Sequence, residues 1–335
     1  MVIELGTERS VTMSQNRIDP DKKKNKRRKK KKKSLGFKIS MGILGVLIFI
    51  IAIGGGYFYS LYNKMDKVEI DKSKLGIASK DAFKEYDNHE SIKNIALYGI
   101  DAEEGQAGRS DSIMIATIDS AHNKVKVTSI MRDSYVNIPD HGMDKINHAY
   151  AFGGPTLALR TLNENFGLNV EDFVSVNFSS LPEIIDILGG ITIDITEEEI
   201  SHIPGVSSTG PTLLTGKQAL AYSRIRYASG GDYERTHRHR NVMSAVFNKA
   251  LAASPTSYPS ILNNILPLVQ TNLSSGDFIS LATKVAGLGN GKLEQERFPR
   301  DGDGAGDMST GIYYLKFDIE TVKKQMRDYI FADKK

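Results

Sequence analysis

Asn94-Ile95-Ala96-Leu97-Tyr98-Gly99-Ile100-Asp101 decides how the chain folds. A near-continuous apolar run of this length reads as a strand buried on both faces, and it ends on a carboxylate where the strand leaves the core. Working outward, Lys93 to Gly99 is the predicted strand. Ser112 to Asp119 and Lys124 to Met131, rich in Ile and Val and separated by a short polar turn, read as a hairpin beside it. Further strands are predicted at Asp172 to Phe178 and Ile191 to Ile195. Between them lie helical patterns at Pro155 to Phe166, with proline in the first turn, and at Ser180 to Leu188, closed by Gly189-Gly190. Strands interleaved with helices predict an α/β fold, an α-β-α sandwich on a central mixed sheet in which the hairpin supplies the antiparallel pairing.

The second half of the chain is helical in pattern. Thr215-Gly216-Lys217-Gln218 has the form of a capping box, which predicts a helix carrying Leu220, Tyr222 and Ser223 toward Arg224. A longer helix is predicted from about Tyr233 to Ala252. On it Arg235, Arg238 and His239 stand at i, i+3 and i+4 and share a face, while Val242, Ala245, Val246 and Leu251 pack inward. After Pro255 two amphipathic helices, a charged strand at Lys292 to Phe298 and a last helix near Asp318 to Phe331 are expected. Residues 63–90 read as a connector, 91–252 as the main folded domain and 253–335 as an extension packed on it.

Charge divides the chain sharply. Residues 1–38 hold 14 basic and 4 acidic side chains and residues 39–335 hold 30 and 36, so the formal +4 conceals a strongly basic tail on a mildly acidic body. Every residue of Lys22 to Lys33 except Asn25 is basic, a block that repels itself and buries nothing. No charge occurs between Lys38 and Lys64, and roughly 20 helical residues cross a bilayer core. Residues 39–62 are therefore expected to form a single transmembrane signal anchor, with Tyr57, Phe58, Tyr59 and Tyr62 in the outer aromatic belt. The lysines then place the N-terminus in the cytoplasm and the body outside the cell membrane. A cleaved signal peptide would need a small-x-small site, which Tyr57-Phe58-Tyr59-Ser60-Leu61 does not supply. Beside such a span the basic block reads as a topology signal attracted to the lipid bilayer, and no nucleic-acid partner is expected. The chain has no cysteine, so its body must be stabilised by core burial without disulfides.

The polar residues point to phosphate chemistry. Arg109 stands beside Asp111 and Arg132 beside Asp133, and Tyr222-Ser223-Arg224-Ile225-Arg226 and Glu234-Arg235-Thr236-His237-Arg238 add further guanidinium groups. Arginine forks match phosphate oxygens, and a hard divalent cation takes carboxylate oxygens. Asp101 and Asp111 flank a loop with Gly105 and Gly108 and could hold one Mg²⁺. A solvated loop whose aspartates cap turns is the other reading, and spacing alone favours it. Gly210 to Lys217 fails as a P-loop, since Gln218 stands where a hydroxyl should ligate magnesium. Asp301 to Asp307 has the carboxylate rhythm of a calcium loop, but Ala305 and Ile312 occupy ligand positions. Neither an H-E-x-x-H nor a G-x-S-x-G motif occurs, which argues against zinc and serine hydrolases.

Six stretches in order, Asn94 to Asp101, Gly108 to Met114, Ser129 to Asp133, Asp144 to Tyr150, Leu188 to Ile191 and Leu214 to Tyr222, resemble the LytR-CpsA-Psr family of Gram-positive bacteria. The resemblance spans about Ser91 to Lys249 and follows the same kind of membrane anchor. It implies a phosphotransferase that moves an anionic glycopolymer, a teichoic acid or capsular polysaccharide, from a polyprenyl-pyrophosphate carrier to peptidoglycan. By matching motifs it implies Asp101 and Asp111 as Mg²⁺ ligands and Arg109, Arg132, Arg224, Arg226 and Arg235 as the grip on the pyrophosphate, with Arg238 and His239 beside them. Asp101, Arg109, Asp111, Arg132, Arg224 and Arg235 would be the catalytic set. Two departures stand out: Met131 where the family often has proline, and Arg238-His239-Arg240 where Arg-Gln-Gln is frequent, so a histidine replaces a customary amide. The alternative is a membrane-tethered module that binds polyprenyl pyrophosphate, or a cell-envelope regulator, without turnover. A polyprenyl tail also needs an apolar slot, which helices over the sheet such as Pro155 to Phe166 and Ser180 to Leu188 could line.

Overall fold

The apolar run forms the strand it predicts and becomes a central strand of a seven-stranded sheet. The computed structural model describes residues 59–60, 62–87, 89–102, 108–225, 231–254, 257–287 and 292–334, together with Gly56. Residues 1–53 lie outside the described residues, and the fold is that of the described part of Gly54–Lys335. The expected tail and nearly all of the expected anchor thus lie outside the described residues. Among the described residues no helix is long and apolar enough to cross a membrane.

In chain order the strands are β1 (Asp66–Lys67), β2 (Ile92–Asp101), β3 (Arg109–Asp119), β4 (Lys124–Ile130), β5 (Tyr135–Ile138) and β6 (Gly142–Lys145), followed by helix α1 (His148–Phe166). Then come β7 (Asp172–Asn177), α2 (Leu181–Ile187), β8 (Ile191–Ile195), α3 (Glu197–Ile200), β9 (Gly210–Leu214), α4 (Gly216–Ser223) and α5 (Gly231–Leu251). The last part holds α6 (Tyr258–Ile265), β10 (Val269–Thr271), α7 (Ser275–Gly287), β11 (Lys292–Phe298), β12 (Gly304–Asp307), β13 (Tyr314–Phe317) and α8 (Ile319–Ala332). The main sheet has the order β1-β10-β7-β2-β3-β4-β11. The predicted connector therefore supplies one edge strand, and the C-terminal segment supplies β10 and the other edge, β11. Ile191 to Ile195 is a strand as expected, but it pairs with β9 in a separate two-stranded sheet.

The sheet is mixed, and its directions place the site. β7 runs parallel to β2, β2 and β4 are each antiparallel to β3, and β11 runs parallel to β4. Hence β2, β7, β4 and β11 all end at one edge, the edge outside which open α/β sheets bind ligands. On one face Tyr98, Ile113, Ile115, Phe173 and Phe298 pack against Leu159 and Phe166 of α1 and Met326 and Ile330 of α8. Each large apolar side chain so buried contributes about 1.5–3 kcal/mol. On the other face Leu97, Met114, Ala116 and Val176 look into a cavity beneath α2 and α5. Helix α1 is regular only from Pro155, because Gly153 and Gly154 take non-helical conformations that split it. α4 opens with the predicted capping box at Thr215, and its Gly216 sits so close to α2 that a Cβ would meet the Pro182 carbonyl oxygen.

Candidate active site

Asp101 is the last residue of β2, and Arg109, the first of β3, is its partner across the hairpin mouth. Within that hairpin Gly99 pairs with Ser112 and Ile100 with Ser110, so Asp111 is an extra residue with no partner in the register. Such a bulge re-aims its side chain. It allows Asp111 to line the same pocket as Asp101. Gly99 permits the close approach, since a Cβ there would lie 2.9 Å from that of Ser112.

Asp111 is held at both oxygens. Arg132 Nη1 donates to Oδ2 at 2.6 Å, and Asn147 Nδ2 donates to Oδ1 at 3.1 Å. Arg132 is set in turn by Asp133, whose Oδ2 lies 3.3 Å from Arg132 Nε and whose Oδ1 lies 2.8 Å from Lys145 Nζ. All four charged side chains are less than one-fifth exposed, so removing one charge would strand its partner, a loss on the order of 3–5 kcal/mol for a buried pair. The sequence does not single out Asn147 and Lys145 as site residues, although both lie in the Asp144 to Tyr150 stretch. Chain position gives no sign that Asn147 touches Asp111, 36 residues earlier.

The pocket is lined by Asp101, Asp111, Phe178, Leu220, Ser223, Arg224 and His239. Arg224 caps the C-terminal end of α4 and is exposed. His239 is buried, packs its ring at 5.0 Å from Phe178 and places Nδ1 3.3 Å from the Asp111 carbonyl oxygen. Burial pushes its imidazole below the ordinary value, against the opposing pull of the Asp111 charge and carbonyl. Arg238, expected with the phosphate-facing arginines, points elsewhere: its Nε donates to Glu199 Oε1 at 2.7 Å and its Nη1 to the Ile225 carbonyl oxygen, with both charged side chains buried. The helical spacing that puts Arg238 beside His239 is real, but Glu199 captures the side chain. Arg226 lies outside the described residues, as does the side chain of Arg235.

Behind the polar pocket lies an apolar one. A cavity of about 250 Å³ runs between the sheet and α2, α5 and α6, walled by Leu97, Met114, Val176, Leu188, Met243 and Ile265 among others. The two spaces share elements: Leu97 and Asp101 lie about 13 Å apart along β2 at ~3.3 Å per residue, and Met243 follows His239 by one turn of α5. Of the two helices expected to line a slot, the one at Ser180 to Leu188 does so, whereas α1 packs into the solid core on the opposite face.

As a donor set, Asp101 and Asp111 offer carboxylate oxygens, which suit a hard cation that keeps several waters. Among the described residues no group of three or more His, Cys, Asp or Glu side chains could hold a metal ion. The Asp301 to Asp307 loop, whose sequence already argues against calcium, is otherwise engaged, since Asp301 pairs with Arg297, Asp303 accepts from Gln325, and residues from Gly304 form β12.

The sequence and the fold that carry this site have counterparts among known proteins. The model of the LytR_cpsA_psr family matches residues 57–329, and the chain belongs to that family. It is 34% identical over 287 residues to a Bacillus cereus polyisoprenyl-teichoic acid–peptidoglycan teichoic acid transferase, TagU, covering 83% of this chain and 91% of the relative. The Enterococcus faecalis TagU is 31% identical over 304 residues, covering 87% and 95%. Among solved structures, TagT bound to LIIa-WTA is similar with a TM-score of 0.61 at 30% identity, covering 76% of this chain and 97% of that one. A TagT with bound octaprenyl pyrophosphate lipid gives 0.57 at 28% identity, with the same coverage.

Proposed function

We propose that this chain transfers an anionic glycopolymer of the teichoic acid or capsular polysaccharide class from a polyprenyl-pyrophosphate carrier to peptidoglycan. The observation that carries this reading is that an apolar cavity and a charged pocket are built on the same elements, β2, β3 and α5, which fits a ligand with a long hydrocarbon tail and a pyrophosphate head. The family relatives named as teichoic acid transferases support it. So does the relative with a bound polyprenyl pyrophosphate.

The work assigned to the protein is positioning and charge neutralisation, which phosphoryl transfer chiefly requires. Leu97, Met114, Leu188 and Met243 hold the tail. Arg132 and Arg224, with Arg109, Arg226 and Arg235, grip pyrophosphate oxygens. Asp101 and Asp111 would hold Mg²⁺, which supplies further neutralisation of the pyrophosphate. An acceptor hydroxyl oxygen of peptidoglycan then bonds to the phosphorus bearing the glycan, the P–O–P bridge breaks, polyprenyl phosphate departs with the bonding pair, and the hydroxyl proton passes to solvent. Residues 39–62 anchor the chain in the cell membrane with residues 1–38 in the cytoplasm and the remainder outside. The test is to incubate the full chain in liposomes with a polyprenyl-pyrophosphate oligosaccharide, peptidoglycan and Mg²⁺. The expected product is glycan joined to peptidoglycan through a phosphodiester. Tight carrier binding with no product would instead favour a binding module.

A further inference from the structure

We infer, on the cation reading given above, that Asn147 is a positioning residue for the metal site: its amide nitrogen sets the direction of Asp111, and its amide oxygen accepts from water bound to the cation. Three observations carry this. First, the side chain is free of duty in its own loop, because the backbone does that work: Asn147 N donates to the Arg132 carbonyl, Asn147 O accepts from Ser110 N, and neighbouring Ile146 N donates to Ser134 O. Second, among the described residues its Nδ2 donates to Asp111 Oδ1, while Arg132 holds Oδ2. Third, its Oδ1 is buried, has no hydrogen-bond partner among the described residues, and lies one amide group from the Asp111 carboxylate.

The two donors on Asp111 are not equivalent. Arg132 neutralises the carboxylate, so its bond competes with a cation and must be traded when one arrives. Asn147 is neutral, orients the carboxylate without spending its charge, and can stay in place. Magnesium keeps several of its waters, whose protons need acceptors, and a buried amide oxygen without a donor is placed to serve one. Partners behind a ligand of this kind are worth about 10–100-fold in metal affinity.

The test uses full-length protein in detergent and Mn²⁺ alone, with free Mn²⁺ read by electron paramagnetic resonance. Asn147→Ala and the volume-conserving Asn147→Leu should each weaken Mn²⁺ binding tenfold or more. Both should keep a cooperative thermal transition, because the backbone bonds remain. In the transfer assay the loss should shrink as Mn²⁺ is raised to saturation, which a merely structural role would not produce. Unchanged Mn²⁺ affinity in either folded variant overturns the role of Asn147 while leaving the cation reading standing. No Mn²⁺ binding by the unaltered protein overturns the cation reading and this inference with it.

Discussion

Replacing Arg238 with methionine separates the structural account from the expectation that this arginine grips phosphate. The Glu199 and Arg238 side chains are 6% and 5% exposed and meet at 2.7 Å. Removing one partner of a buried pair is worth about 3–5 kcal/mol, because the remaining charge is left without compensation. At about 2–4 °C per kcal/mol for a domain of this size class, the thermal midpoint of Arg238→Met should fall by roughly 10 °C. Adding Glu199→Gln should recover most of the fall, since the stranded charge is gone while the side-chain oxygen can still accept from Thr196 N, as Glu199 Oε2 does at 3.0 Å. Calorimetry gives the stabilities, and titration with a short-chain polyprenyl pyrophosphate well below the midpoint gives the affinity of the folded variant, which should stay within about threefold of the parent, or under ~0.7 kcal/mol. A native thermal midpoint together with tenfold weaker lipid binding would refute the reasoning and return Arg238 to the phosphate site.

Other outcomes rest on the same geometry. Arg132→Lys and Arg224→Lys keep charge but lose the fork, so each should weaken carrier binding in the same titration by about tenfold or more. Asp101→Ala should abolish cation-dependent transfer with little loss of thermal stability, whereas Asp111→Ala should abolish it and also lower the thermal midpoint, because Arg132 is left without its partner. Ala116→Leu extends into the cavity, and should leave stability unchanged or raised while lowering affinity for long-chain relative to short-chain polyprenyl pyrophosphates. At the far end of the sheet, burial would push the Asp119 carboxyl up, but Lys126 at 2.6 Å and His122 outweigh it and hold it below its ordinary value of 3.8. A depressed carboxylate gives stability that is complete above that value and lost as pH falls through the folded one. The thermal midpoint should therefore be flat at neutral pH and drop in an acid limb below about pH 4, and Lys126→Met should move the limb to higher pH.

Much of the fold was legible because its signals are local. Asn94 to Asp101 needs only its apolar run to become a central strand with a carboxylate at its mouth, and Thr215 with Gln218 needs only a few residues to start α4. What the sequence concealed depends on distant partners. Lys292 to Phe298 reads as a charged strand, but that it closes the sheet beside β4 is decided by pairing across more than 160 residues. Val269–Thr271 is too short to leave a pattern of its own. Asp111 could be named a candidate, yet the bulge that turns it toward Asp101 is a matter of register, and local composition carries no such information. Arg238 shows the limit most plainly: its spacing matches His239, and only the fold brings Glu199 to claim it.

Photolabelling tests the central claim most directly. A polyprenyl pyrophosphate with a diazirine near the end of its tail, activated on the full chain in liposomes and mapped by mass spectrometry, should mark the cavity wall at Leu188, Met243 or Val246, and excess unlabelled carrier should suppress the marks. Arg132→Lys should reduce the labelling in step with its weaker binding. Competable labels confined to α1 and α8, on the opposite face of the sheet, would contradict the account.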